Sequence, residues 1–188
     1  MSFEVEKKGF LSRKDHSKKG SIDREIVPLI NYINSLPNYY TTSSCAGRIV
    51  LLNIPKSGKK NEAEWLYKTH GKASFAKVKK ALTEKTEREV WFKQESFILH
   101  IRCRSLRDAE LILSCARKAG FKHSGIISTS RIIVEVVSNE RIETPVKAGD
   151  KIFVSDENLR YLVRRANEKL LITRKKIALF FENLKRKK

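Results

Sequence analysis

Between Tyr39 and Arg48 the chain reads Tyr-Tyr-Thr-Thr-Ser-Ser-Cys-Ala-Gly-Arg, which puts six hydroxyls, a thiol, a glycine and an arginine directly before an apolar run. Small side chains and Gly47 would let successive backbone N–H groups converge on an anion, and Arg48 could add a bidentate grip on a carboxylate or phosphate. Ser43, Ser44, Cys45, Gly47 and Arg48 are therefore binding candidates, against the plainer alternative of a Ser/Thr-rich turn. Cys45 would be a nucleophile only as a thiolate. A free cysteine more often packs as a small hydrophobe, so burial or a contact with a cofactor is the expected role.

The second candidate is His100. Strand alternation puts Phe97, Leu99, Ile101 and Cys103 on one face and Ile98, His100, Arg102 and Arg104 on the other. His100 is thus expected on a polar, basic face, where a neutral imidazole could accept a proton. A solvated strand histidine is the plainer alternative. Cys45, Cys103, Cys115 and His100 lack the paired spacing of a zinc site, and no metal is expected.

Several elements must position these side chains. Ile22, Ile26, Leu29, Ile30, Ile33 and Leu36 recur at helical spacing after Ser21 as N-cap, with Pro28 as a kink and Pro37 as the stop. Residues 39 to 54 read as two extended pieces separated by Ser44-Cys-Ala-Gly47, and the second has the continuous apolar character of a buried strand. A loop covers 55 to 63. Strands are expected at 64 to 70, 89 to 93 and 96 to 104, with a helix at 74 to 83. Ser105-Leu-Arg-Asp108 is a capping box opening a helix that ends at Gly120. Strands at 121 to 128, 131 to 137 and 141 to 154, the last broken near Gly149, precede a final helix after Ser155.

Short turns between strands and helices between sets of strands predict an α+β fold: a single domain, residues 1–188, with a mostly antiparallel or mixed sheet, which could be barrel-like, flanked by helices. A β-α-β-β pattern is expected twice, at 64 to 103 and 97 to 137. Neither a G-x-G-x-x-G fingerprint nor a P-loop is present, so the fold is not expected to be of the Rossmann kind.

Forty Lys and Arg against twenty-one Asp and Glu give a net charge of +19, spread along the 188 residues, which points to a polyanionic partner. The basic clusters include Lys18, Lys19, Lys59, Lys60 and Lys187. With Arg102, they are candidates for RNA phosphate contacts, and Tyr39, Tyr40, Trp65, Tyr67 and Trp91 could stack on unpaired bases. Three cysteines make no disulfide framework, and neither a signal peptide nor a membrane span is visible. The expectation is a soluble, cytoplasmic protein with no membrane partner, and a monomer by default.

With these residues in view, the chain resembles the tRNA wybutosine-synthesising protein 3 family. The resemblance rests on Thr42-Ser-Ser-Cys-Ala-Gly-Arg48, on Leu99-His-Ile-Arg-Cys-Arg104 running on to Asp108-Ala109, and on Gly120-Phe-Lys-His-Ser-Gly-Ile126. Asp15-His-Ser-Lys-Lys-Gly-Ser21 and Ala166-Asn-Glu-Lys169 are two further segments in order. It implies a non-Rossmann methyltransferase that uses S-adenosylmethionine to methylate N4 of a demethylated wyosine-type base beside the anticodon of phenylalanine tRNA. On that reading His100, or Asp15 second, accepts the ring proton. Ser43, Ser44, Cys45, Gly47 and Arg48, with Ser124, Gly125 and Ile126, line the cofactor pocket. The rival reading is a tRNA-binding accessory protein that performs no chemistry.

Overall fold

A computed structural model of the chain describes residues 2–13, 22–55 and 62–187. Asp15, Lys18, Lys19, Ser21, Lys59 and Lys60 lie outside them. The chain forms two compact units, each assembled from separated segments: unit 1 from Met1–Ala46, Phe97–Asn139 and Arg174–Lys188, unit 2 from Gly47–Ser96 and Glu140–Thr173. Both sheets are antiparallel throughout, as the sequence pattern predicts for an α+β fold.

Unit 1 holds helix α1 (Phe3–Leu11), a 3-10 turn (Arg24–Ile26) running into α2 (Val27–Ser35), and α4 (Leu106–Lys118). Its four strands are β1 (Tyr39–Cys45), β5 (Ile98–Cys103), β6 (Gly125–Ser128) and β7 (Ile133–Val137), in the order β1-β5-β7-β6. Pro28 sits in the first turn of α2, where its missing N–H costs nothing, so it starts the helix instead of kinking it. α4 opens on the expected capping box: Ser105 Oγ accepts from Asp108 N–H while the Asp108 carboxylate accepts from Ser105 N–H. One sheet face meets α2, α4 and the end of α5 (Asp156–Lys185) in a core containing Leu99, Ile101, Ile112, Val134 and Phe121. Phe180 is fully buried there, edge-on to Phe121 at 6.1 Å. Phe180→Ala would cost about 3–5 kcal/mol.

Unit 2 holds α3 (Phe75–Leu82) and the first part of α5. Its strands are β2 (Arg48–Ile54), β3 (Glu64–Thr69), β4 (Glu89–Glu95), β8 (Ile142–Ala148) and β9 (Lys151–Ile152), in the order β3-β2-β4-β8-β9. The break between β8 and β9 falls at Gly149, whose φ of 55° favours glycine. Lys147 is buried, and its ammonium donates to the carbonyls of Leu82 (3.1 Å) and Glu84 (2.7 Å) at the C-terminal end of α3, where a cation is favoured.

Two further expectations are corrected. β1 runs through Cys45, so only Ala46 and Gly47 separate it from β2. The first β-α-β-β repeat does not form one unit, because β4 joins the sheet of unit 2 and β5 that of unit 1; the second, β5-α4-β6-β7, lies within one sheet. Among the described residues no helix is long and apolar enough to cross a membrane.

Candidate functional site

The face of the unit 1 sheet opposite its core carries one row that brings together three predicted residues. Ser43 is paired with His100, His100 with Glu135, and Glu135 with Gly125, so the row crosses all four strands. Directly opposed residues project from the same face. The alternation expected of β5 holds, since Leu99, Ile101 and Cys103 are fully buried while His100 is partly exposed. β1 reaches the row through a bulge between Thr41 and Ser43, whose extra residue moves Ser43 and Cys45 to the His100 face and turns Ser44 to the other. The amide of Thr41 donates to Asn34 Oδ1 at 2.8 Å.

His100 Nε2 lies 2.9 Å from Glu135 Oε2, with 26% of the histidine side chain and 31% of the glutamate exposed. The nearest charged group is thus a carboxylate, where a face of cations was expected. If Nε2 carries the proton and donates to Glu135, Nδ1 is left as the acceptor atom.

Arg102, expected to meet RNA, is instead committed internally. Its guanidinium donates to both oxygens of Glu6 on α1, at 3.2 and 3.5 Å, and to the Cys103 carbonyl, with 13% of the side chain exposed. Tyr40, opposite Arg102 in register, donates its hydroxyl to Glu6 at 2.9 Å and packs under Phe3 and Phe10. Burial would raise the Glu6 carboxyl, but bonds from Arg102 and Tyr40 and the charges of Arg102 and Arg131 outweigh it and hold it below the usual carboxylate range. Burial, reinforced by Glu6, pushes the Tyr40 phenol up to about 12.

In the segment 43 to 47, expected to gather N–H groups around an anion, one amide meets an internal carboxylate. Ala46 N–H donates to Asp23 Oδ2 at 2.8 Å, and the Ala46 carbonyl accepts from Arg174. Asp23 is buried, and burial pulls the Arg174 guanidinium below its ordinary value against the opposing pull of Glu25 and Asp23. Cys45 is half-buried, whereas burial pushes the Cys103 thiol up to about 12. Gly47, which begins unit 2, has φ 81°, a conformation that favours glycine. Within unit 2, Arg48 Nε is bonded to Glu95 and its guanidinium sits 4.7 Å over the Trp65 ring.

On β6 and before it, the Ser124 hydroxyl accepts from Val137 N–H at 3.3 Å, which ties the start of the strand to β7. A Cβ added to Gly125 would meet nothing within 4 Å, so the surface beside Glu135 is open. Ile126 is paired with core Val134 and so projects from the opposite face to the row. Lys187 is exposed after the end of α5. The residues not anticipated are Glu135, Asp23, Arg174 and Glu6. Only Glu135 left a trace in the sequence, as the polar residue between Val134 and Val136.

The family model described as Methyltransferase TYW3 matches residues 5–186. A Pyrococcus abyssi protein named tRNA(Phe) 7-((3-amino-3-carboxypropyl)-4-demethylwyosine(37)-N(4))-methyltransferase 1 is 36% identical over 182 residues, covering 96% of this chain and 94% of its own. A Danio rerio tRNA wybutosine-synthesizing protein 3 homolog is 38% identical over 189 residues, covering 97% of this chain and 74% of its own. A solved Pyrococcus horikoshii structure superposes with a TM-score of 0.86 at 36% identity, covering 96% of this chain and 94% of that one. A match spanning nearly the whole length, in sequence and in fold, means that this chain belongs to the Methyltransferase TYW3 family.

Proposed function

We infer that the protein transfers a methyl group to N4 of 7-(3-amino-3-carboxypropyl)-4-demethylwyosine at position 37 of tRNA(Phe). The observation that carries this reading is the identity of 36% across 96% of the chain to a protein named for that reaction. S-adenosylmethionine is the methyl donor that a methyltransferase of this family implies. The residues of the unit 1 row fit such a group: Ser43 offers an exposed hydroxyl, and Gly125 leaves open space beside Glu135. Ser43 and the strand at Gly125 would hold it. When bound it supplies a methyl already activated on a sulfonium.

The chain's own work is then positioning and proton management. Holding the ring nitrogen in line at near-attack distance accounts for most of the acceleration available to such a transfer. Methylation releases the N4 proton. His100 Nδ1 would accept it while Glu135 holds Nε2, the division of labour seen wherever a carboxylate orients a basic histidine. The setting is a cytoplasmic protein with a tRNA substrate, to which the net charge of +19 is suited.

Single-turnover incubation with tRNA(Phe) carrying the 4-demethyl base, and with methyl-labelled S-adenosylmethionine, tests the reading. One methyl should appear on the tricyclic base, located by mass spectrometry of the digested tRNA. Absence of transfer, with the tRNA still bound, would favour the accessory-protein reading.

A further inference from the structure

Ala166-Asn-Glu-Lys169 takes no part in the row around His100. It lies in the half of α5 that belongs to unit 2, and what it does there points to a second contact. Asn167 reads the backbone of Ala73 from both sides: Oδ1 accepts from Ala73 N–H at 2.7 Å and Nδ2 donates to the Ala73 carbonyl at 3.0 Å. This clamp secures the segment leading into α3 against α5. It shapes a cleft of about 430 Å³ whose walls include Lys72 and Phe75 on one side and Arg160, Val163, Arg164 and Leu171 on the other. That volume is within the usual range of ligand sites, roughly 300–1,000 Å³.

The chemistry of the cleft is that of a nucleotide subsite. The Arg160 guanidinium lies 3.7 Å from the centroid of the Phe75 ring, and Arg164 lies 5.1 Å from that of Tyr161, itself 54% exposed. Leu171, 48% exposed, adds an apolar wall. The carboxylate that lines the cleft, Glu168, is taken by Arg165. Among the described residues Lys72, Arg160 and Arg164 form no ion pair, so three cations line the cleft beside apolar surface, against the single carboxylate of Glu168. A guanidinium plane and an aromatic ring are the surfaces on which unpaired bases stack, and unpaired cations are what phosphates replace counterions with.

We propose that this cleft of unit 2 binds an unpaired nucleotide of the tRNA substrate, its phosphate on Lys72, Arg160 and Arg164 and its base against Phe75 and Leu171. The proposal rests on the tRNA reading above. It assigns to the Ala166–Lys169 segment the job of building an RNA contact remote in sequence from the proton acceptor.

The test compares wild type with Lys72→Ala/Arg160→Ala/Arg164→Ala and with a charge-matched control, Arg117→Ala/Lys118→Ala/Lys122→Ala in unit 1. Binding of tRNA is measured across salt concentrations, with calorimetry for S-adenosylmethionine and circular dichroism for folding. The cleft variant should bind tRNA about tenfold or more weakly at moderate salt, with a log–log salt slope shallower by about 0.7, the counterion of one single-strand phosphate. It should keep its S-adenosylmethionine affinity and its single-turnover rate at saturating tRNA. The control should move less in both affinity and slope. Arg160→Lys, which keeps the charge and loses the plane, should recover the slope and only part of the affinity. A cleft variant with the affinity and slope of wild type, or one no worse than the control, overturns the proposal and leaves the tRNA reading standing. Failure of wild type itself to bind tRNA overturns both.

Discussion

Glu135 Oε2 and His100 Nε2 lie 2.9 Å apart across β5 and β7, in a pairing that sequence order separates by 35 positions. The contact ties the imidazole to one orientation, with Nδ1 left to act. His100→Ala should fold, because the residue is partly exposed on the face away from the core, and should retain tRNA. Its single-turnover methylation rate should fall by about ten- to ten-thousand-fold, the reach of general-base catalysis. A variant as fast as wild type would move the proton to another acceptor.

Glu135→Gln addresses the same pair from the other side. An amide can still accept from Nε2–H, but without the negative charge that favours a developing imidazolium. The rate should drop while tRNA affinity holds, and the pH–rate profile should shift relative to wild type. A purely structural glutamate would leave that profile in place.

Asp23→Ala removes the acceptor of the Ala46 amide and one of the two carboxylates, with Glu25, that act on Arg174. Leaving a buried N–H unsatisfied costs about 1–3 kcal/mol, which urea denaturation should register. Asp23→Asn can keep the hydrogen bond through its amide oxygen and should lose less. Equal losses would assign the whole effect to charge.

Gly47 holds φ 81°, where an L side chain adds about 1–2 kcal/mol of strain. Gly47→Ala should therefore lower stability by that order, and Gly47→Val by more. Loss of S-adenosylmethionine binding by either variant at a temperature where it is folded would bring the turn into the cofactor site. Unchanged binding would leave it as a joint in the chain.

Glu6 supplies a pH signature. Its folded-state carboxyl is held below the ordinary range, so its contribution is complete above the unfolded value, about 4.3, and is lost as the pH falls through the lower folded value. The stability difference between wild type and Glu6→Gln should be about 1–3 kcal/mol at neutral pH and shrink below about pH 4 until the two unfold together. A difference independent of pH would contradict the ion pair with Arg102.

How much of this was legible in the sequence depended on whether the signal was local. The capping box at Ser105 and Asp108, the buried alternation around His100 and the break at Gly149 are written in neighbouring residues, and the structure has them in place. α1 was not anticipated: Phe3 and Phe10 sit seven positions apart among charges, and none of its residues is buried. Without α1 the sequence gives no sign of Glu6, the partner that Arg102 bonds. The bulge after Thr41 decides which hydroxyls share a face with His100, and it has no local signature in a run of Thr and Ser. The Ala46 amide met Asp23, from 23 positions upstream, where an anionic ligand had been expected.

The interleaved segments have a consequence for biosynthesis. The core of unit 1 includes Ile177, Phe180 and Leu184, and that of unit 2 includes Leu159, Val163, Ala166 and Leu170. During translation the strands of both sheets emerge before α5, with part of their apolar faces uncovered until it follows. Neither unit can complete its core while α5 is still inside the ribosomal tunnel, so the nascent chain should bind hydrophobic-surface chaperones up to that point and not fold one unit at a time.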